Sequence, residues 1–349
     1  MRVLGWLGGL TVAGYVAAAL AAFGFVRYVR HVDAVAFTDI LLPSRWDHYR
    51  VARGDQQIAA AKRLVEERKF TEGFLHARAG VAAAPGHRDG RLLLADLLVA
   101  ARQPEEEAMF RELNRVAWEI IQEAFSNKVI TPGVTKADDV VWWMRQRISD
   151  LGLSTWFQPS VEIQRQFGSP ELVGVNPTIL RGDMLHCDFG ITALGLNTDT
   201  QHNGYVLRDG ETDVPAGLKN ALRASNRLQD ITVEELRPGR TGNEVLAATL
   251  KRMRDEKIDG TEYSHPIGLH GHGAGALIGL WDYQDGVPGR GDHKVIPGMW
   301  YSIELQATTP VPEWGNQQVR SAQEEDVIID ANGKVRWAFG RQSTFHIVK

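Results

Sequence analysis

Val3 to Val26 form an unbroken run of 24 residues without a charge, stopped by Arg27 and Arg30. This run constrains the chain more than any other feature, because so long an uncharged segment must be buried in protein or in lipid. It exceeds the ~20 residues a helix needs to cross a bilayer. It also exceeds the ~7–15 apolar residues of a secretory signal core, although Ala19-Leu20-Ala21 offers a small-residue cleavage pattern. Residues 1–30 are therefore expected to form a transmembrane anchor of the bacterial inner-membrane type. A cleaved signal, giving a secreted or periplasmic protein, is the alternative, and a buried helix is the third reading. Arg2 and the amino terminus nearly balance Arg27 and Arg30, so the positive-inside rule assigns neither side of the membrane.

The whole chain of 349 residues has room for about two domains at ~100–200 residues each. Hydrophobic residues at 44% and charged residues at 23% are ordinary globular values, enough to bury a large core. A net charge of −4 gives no reason to expect a nucleic-acid partner. The single cysteine, Cys187, excludes an internal disulfide framework and a multi-cysteine zinc site.

Residues 31–104 read as helices. Gly54-Asp55 opens the stretch QQIAAAKRLVEERKF, and breaks fall at Arg68-Lys69, Pro85-Gly86 and Gln103-Pro104. A small-residue helix ending in Ala-Pro, then a polar turn and LLLADLL, resembles a tetratricopeptide repeat over 52–104. About one and a half such repeats fit, where a solenoid needs about three. A plain helical spacer explains the segment equally well.

The character changes at Pro104. A long amphipathic helix (EEEAMFRELNRVAWEIIQEAFS) leads to a Thr-Pro-Gly turn at 131–133 and a second helix (KADDVVWWMRQRISDLG). Acidic residues in the first turn of that second helix and Gly152 at its end suit helix termini. Strands and turns follow, with further helices around 216–236 and after Thr241. Helices and antiparallel strands without a βαβ rhythm indicate an α+β fold.

Four short segments carry the polar chemistry. LRGDMLHCDFG and ITALGLNTDTQHNGYVL place Asp188 and Asp199 eleven residues apart on two strand-like runs, where a hairpin can bring them face to face. YSHPIGLHGHGAGALIGLWD holds His265, His270 and His272 among glycines that allow close backbone approach to a ligand. PGMWYSIELQ contributes Glu304, and VRSAQEEDVIID contributes Glu324. Each is ordinary alone: an Asp before Phe-Gly is commonly a turn residue, and a lone histidine is more often a core or surface group than a ligand.

Their order and spacing are not ordinary. CDFG, NTDT, GHGAG, GMWYSIE and EEDVII resemble the pita-bread metallopeptidases, the family of methionine aminopeptidase, Xaa-Pro aminopeptidase, prolidase and their relative creatinase. The resemblance covers 105–349. It implies a pita-bread catalytic domain there, preceded by the membrane helix and the short helical segment. It implies metal ligands Asp188, Asp199, His272, Glu304 and Glu324, with Asp199 and Glu324 bridging. Asp188 would serve one metal, and His272 and Glu304 the other. It further implies two divalent cations (Mn, Co, Zn or Fe, with Mn favoured), a peptide or dipeptide substrate, and room for a homodimer. The activity expected is that of an aminopeptidase or dipeptidase, Xaa-Pro type favoured, with Glu304 shuttling a proton and His265 and His270 as further catalytic candidates. Charge supports the set independently. Four carboxylates in one pocket repel one another, and two divalent cations cancel a formal −4. Oxygen ligands with one imidazole suit Mn, Co, Fe or Zn.

The sequence also departs from that pattern. His270 and His272 lie two apart and face the same way on a strand, so His270 is the alternative ligand and the other of the two would meet substrate. No histidine stands in VEIQRQFG, where many relatives keep one; His186, on the same face as Asp188, is either its substitute or a solvated strand residue. Cys187 points the other way, toward the core. Residues 1–104 stand where prolidases carry a different domain, which leaves Xaa-Pro specificity open. A creatinase-like C–N hydrolase and a non-catalytic scaffold are the alternative functions.

Overall fold

In the first hundred residues helical periodicity becomes a set of helices, and the sheet comes only after them. A computed structural model of the chain describes residues 2–67, 69–100, 104–168, 173–269 and 271–349. The chain divides into two units, Met1–Arg102 and Gln103–Lys349.

In the first unit, helix Arg2–Gly24 continues into a single π turn, Phe25–Val29. Thr11–Val29 is long and apolar enough to cross a membrane, by length and composition, and little of it is buried. The Arg27 guanidinium that ends the apolar run donates to the carbonyls of Asp33 and Val35. Val26, Val32 and Val35 form a small core beneath that turn. Helices Trp46–Glu66, Phe70–Ala83 and Arg88–Ala100 follow. The first of these runs straight through Gly54, where the sequence suggests a helix start. A Cβ at Gly54 would lie 2.5 Å from the Cβ of Ala84, so a missing side chain here serves close helix packing and not a break.

The second unit is built on its sheet. Helix Pro104–Ala124 buries Phe110, Leu113, Ala117, Ile120, Ile121 and Ala124, a stripe at spacings of three and four, and Phe110 stacks on Trp300 at 4.2 Å. Helix Ala137–Asp150 begins where Asp139 accepts from the Lys136 amide, and ends before Gly152 at φ +68°. Both pack on the core that contains Leu185, Cys187 and Phe189. The strands, in chain order, are β1 (Ser160–Gln164), β2 (Met184–Phe189), β3 (Thr192–Ala193), β4 (Leu196–Asn197), β5 (Thr200–Val206), β6 (Asp259–Glu262), β7 (His265–Pro266), β8 (Trp300–Val311), β9 (Gln317–Ile329), β10 (Val335–Trp337) and β11 (His346–Val348). The main sheet runs β1-β2-β5-β9-β8-β6, with β7 on β8, β10 on β9 and β11 parallel to β5. β3 and β4 make a separate two-stranded ribbon across the connection between β2 and β5.

Helix Ala216–Glu235 lies against β8 and β9. Ser225 bonds Ser321 and Gln323, and Gln229 reaches the Ile303 carbonyl. Helix Gly242–Asp255 begins with a reciprocal capping box between Thr241 and Glu244. Odd-numbered residues of β9 thus face a helix. Successive strand side chains alternate, so the even-numbered Glu324 faces the opposite side. That opposite face carries the polar cluster described next.

Candidate metal centre

Strand register decides which polar groups meet. The β8–β9 ladder is regular from Trp300↔Ile328 to Val311↔Gln317 and sets Glu304 directly opposite Glu324. β5 joins β9 at Gln201↔Glu324, and β2 joins β5 at Asp188↔Gln201. Asp188, Gln201, Glu324 and Glu304 therefore stand in one row across four strands. Asp188 and Asp199 are not opposite each other, as a simple hairpin would place them. Asp199 precedes β5 by one residue and meets Asp188 on the diagonal.

His265 completes the row. β7 pairs it with Ser302, two residues before Glu304. Its Nε2 lies 3.2 Å from Glu324 Oε1 and 3.7 Å from both Glu304 Oε2 and Asp199 Oδ2, and the ring is wholly buried. His272 sits edge-to-face on His265 with ring centroids 4.5 Å apart, but it is exposed. His270 lies outside the described residues.

Among the described residues the side chains form three groups, in each of which the ligand atoms lie within 4.8 Å of one another: Asp188, Asp199 and Glu324; His265, Glu304 and Glu324; and Asp199, His265 and His272. Asp199, Glu324 and His265 each belong to two of these groups.

Burial makes this cluster costly without a partner. Asp188 Oδ1 and Asp199 Oδ1 are buried with no hydrogen-bond partner, a state that burying a carboxylate penalises heavily. Burial, and next the charge of Glu324, push the Asp188 carboxyl up to about 8. The same two causes raise Asp199 and Glu304 well above the usual carboxylate range. Divalent cations would relieve both strains by supplying positive charge to the orphaned oxygens. The donor set of carboxylates with an imidazole suits ions such as manganese, iron, cobalt or zinc.

Several supporting residues carry no motif. Gln201 donates to Glu304 Oε1 and Glu324 Oε2, each at 2.7 Å. Ser302 donates to Glu324 Oε1 at 2.6 Å, and the Asp199 amide donates to Asp326 at 3.2 Å. His186 is buried and bonded to Gln201, not solvated, and burial lowers it to about 4. Cys187, on the opposite face, is core, and burial keeps it a thiol. The rim is aromatic. Tyr263 Oη lies 3.4 Å from His272 Nε2, Trp156 stands edge-on to His272 at 5.2 Å, and Trp281 stands edge-on to Tyr263 at 5.5 Å. The only sequence signal for these was their nearness to the motif residues, as with Ser302 beside Glu304.

The model of metallopeptidase family M24 matches residues 108–331, well over half of the chain. No curated protein matches the sequence. Among solved structures, a dipeptidase from Pyrococcus horikoshii is 20% identical with a TM-score of 0.53, covering 73% of this chain and 66% of that one. An Xaa-Pro dipeptidase from Bacillus anthracis is 21% identical with a TM-score of 0.51 and the same coverage, 73% and 66%. The N-terminal domain of FACT complex subunit SPT16 from Cicer arietinum is 12% identical with a TM-score of 0.53, covering 73% and 64%. The chain thus spans just under two-thirds of the length of each. At these identities the likeness is one of fold.

Proposed function

Because the chain belongs to metallopeptidase family M24, we propose that it is a metal-dependent aminopeptidase or dipeptidase, with Xaa-Pro bonds the favoured target. One observation carries this reading: Asp188, Asp199, Glu304 and Glu324 converge around the buried His265 ring, with buried oxygens of Asp188 and Asp199 left unpaired. The dipeptidase likenesses support the choice of substrate class.

In this reading the four carboxylates and one histidine hold two divalent cations, manganese favoured. Bound there, such ions would polarise a carbonyl and lower the pKa of a water. Asp199, Glu324 and His265 are each common to two groups, and the two carboxylates take the shared positions because each can offer one oxygen to either cation. His265 fits the histidine position better than His272, because it is the buried ring that reaches three carboxylates. His272, exposed and beside Tyr263, suits contact with the substrate carbonyl. Glu304 Oε1 is engaged by Gln201, which leaves Oε2 to take a proton from the attacking water and return it to the leaving amine. Residues 1–30 would anchor the protein in a membrane, 31–104 would act as a helical spacer, and 105–349 would form the catalytic domain.

A second reading, a non-catalytic binding module, has one observation in its favour: the FACT subunit domain is as similar in fold as the Pyrococcus dipeptidase. A panel of dipeptides and tripeptides, tested with manganese, cobalt and zinc, separates the two. Metal-dependent cleavage with Xaa-Pro peptides foremost is expected. A chain that binds metal and cleaves no peptide would favour the module.

A further inference from the structure

Gln201 stands between the carboxylates as an uncharged side chain, and its partners dictate how its amide lies. As metal ligands Glu304 and Glu324 are carboxylates, whose oxygens accept hydrogen bonds, so the amide end facing Glu304 Oε1 and Glu324 Oε2 must be the NH2, with both hydrogens used. Gln201 Oε1 is then left as an acceptor, and His186 Nε2 lies 3.0 Å from it. His186 must therefore carry its proton on Nε2. Its Nδ1 is buried without a hydrogen-bond partner, 3.8 Å from Glu162, which Arg320 holds in place. His186 and Glu162 face each other across the β1–β2 ladder, His186 reaches Gln201 on the diagonal of the β2–β5 ladder, and Gln201 stands directly opposite Glu324.

Resting on the metal-centre reading above, we infer that His186 and Gln201 are a pair of positioning residues for that centre. His186 fixes which way round the Gln201 amide lies, and Gln201 holds Glu304 and Glu324 in the orientation in which they take a cation. Reversed, the amide would set its oxygen against two carboxylates. A lysine or arginine at 201 would satisfy both glutamates but repel the cations, whereas an amide donates twice without adding charge. Partners that orient metal ligands in this way are typically worth ~10–100-fold in metal affinity or activity.

Titration of the full chain with Mn(II) alone, followed by calorimetry, tests the pair. Gln201→Leu is expected to weaken Mn(II) binding ~10–100-fold. His186→Phe, or His186→Leu if the larger ring does not fold, should shift affinity in the same direction. The double variant should bind no more weakly than Gln201→Leu, because the two residues act in series. His186→Gln, which can still donate toward Gln201, should recover most of the loss. A merely structural role for His186 would lower thermal stability without producing that non-additivity or that rescue. Unchanged affinity in the single variants, or additive losses in the double, overturns the inference while leaving the metal centre standing. No Mn(II) binding by the unaltered chain overturns the metal reading and this inference with it.

Discussion

Asp188 faces Gln201 across the β2–β5 ladder and meets Asp199 only on the diagonal, so an amide occupies the position directly opposite the first aspartate. The carboxylates are thereby spread along a row, and the buried imidazole of His265 lies against three of them.

His265 and His272 should separate by role. His265→Ala removes the buried ring that touches Asp199, Glu304 and Glu324 and should lower metal occupancy. His272→Ala leaves those contacts intact and should retain metal while lowering kcat by ~10²–10³-fold, the usual cost of one lost transition-state donor. Metal analysis alongside steady-state kinetics checks both. Loss of metal on His272→Ala with retention on His265→Ala would reverse the assignment.

Without metal, the centre should make stability fall as pH rises. The folded chain holds a proton on Asp188 up to about pH 8, and burial raises Asp199 and Glu304 well above the usual carboxylate range, whereas an unfolded aspartate releases its proton near 3.8. The native state then binds more protons than the unfolded state across that window, and the slope of unfolding free energy with pH is negative there. Below the unfolded value both states are protonated and the penalty disappears. Thermal unfolding of the chelated chain should therefore occur at a lower temperature at pH 8 than at pH 7, both above the range in which the buried neutral His186 adds stability as pH rises. Added Mn(II) should raise it more at pH 8. A chelated chain that is more stable at pH 8 would count against the buried-carboxylate account.

Gly271 is a packing requirement of the rim. A Cβ there would lie 2.1 Å from the Trp156 ring, which stands against His272 and donates to the Thr198 carbonyl beside Asp199. Gly271→Ala must displace Trp156, at an overpacking cost of about 1–3 kcal/mol. The expected result is a raised KM with metal content unchanged. Unaltered KM would show that the rim accommodates the methyl group.

How much of this was legible in the sequence varied with how local the cause was. The helix at 137–150 and the one after Thr241 were readable because caps and periodicity lie within a few residues. The acidic and histidine segments were readable by their order. The helix over Trp46–Glu66 starts earlier than the opening that Gly54-Asp55 suggests, because the role of Gly54 is contact with Ala84, thirty residues away. His265 was legible as a catalytic candidate but not as a possible ligand, because its place depends on pairing with Ser302. Gln201 gave none, since an amide between two carboxylates is a product of register across three strands.

The apolar run should place the full chain in the membrane fraction. Thr11–Val29 is the segment responsible, and an arginine at its middle costs about 2.5–3.5 kcal/mol of insertion free energy. Ala17→Arg should therefore shift the protein toward the soluble fraction. Recovery of the unaltered chain in the soluble fraction would contradict the anchor.

Metal content per chain tests the central claim most directly. Elemental analysis of the full chain equilibrated with Mn(II) should find close to two ions per chain, with hydrolysis of a suitable dipeptide lost on chelation and restored by metal. Asp199→Ala and Glu324→Ala, each removing a residue common to two of the clusters, should lose both metal and hydrolysis, by more than the ~10–100-fold expected for a supporting residue. An unaltered chain that holds no metal, or either variant with its full metal load and activity, would contradict the account.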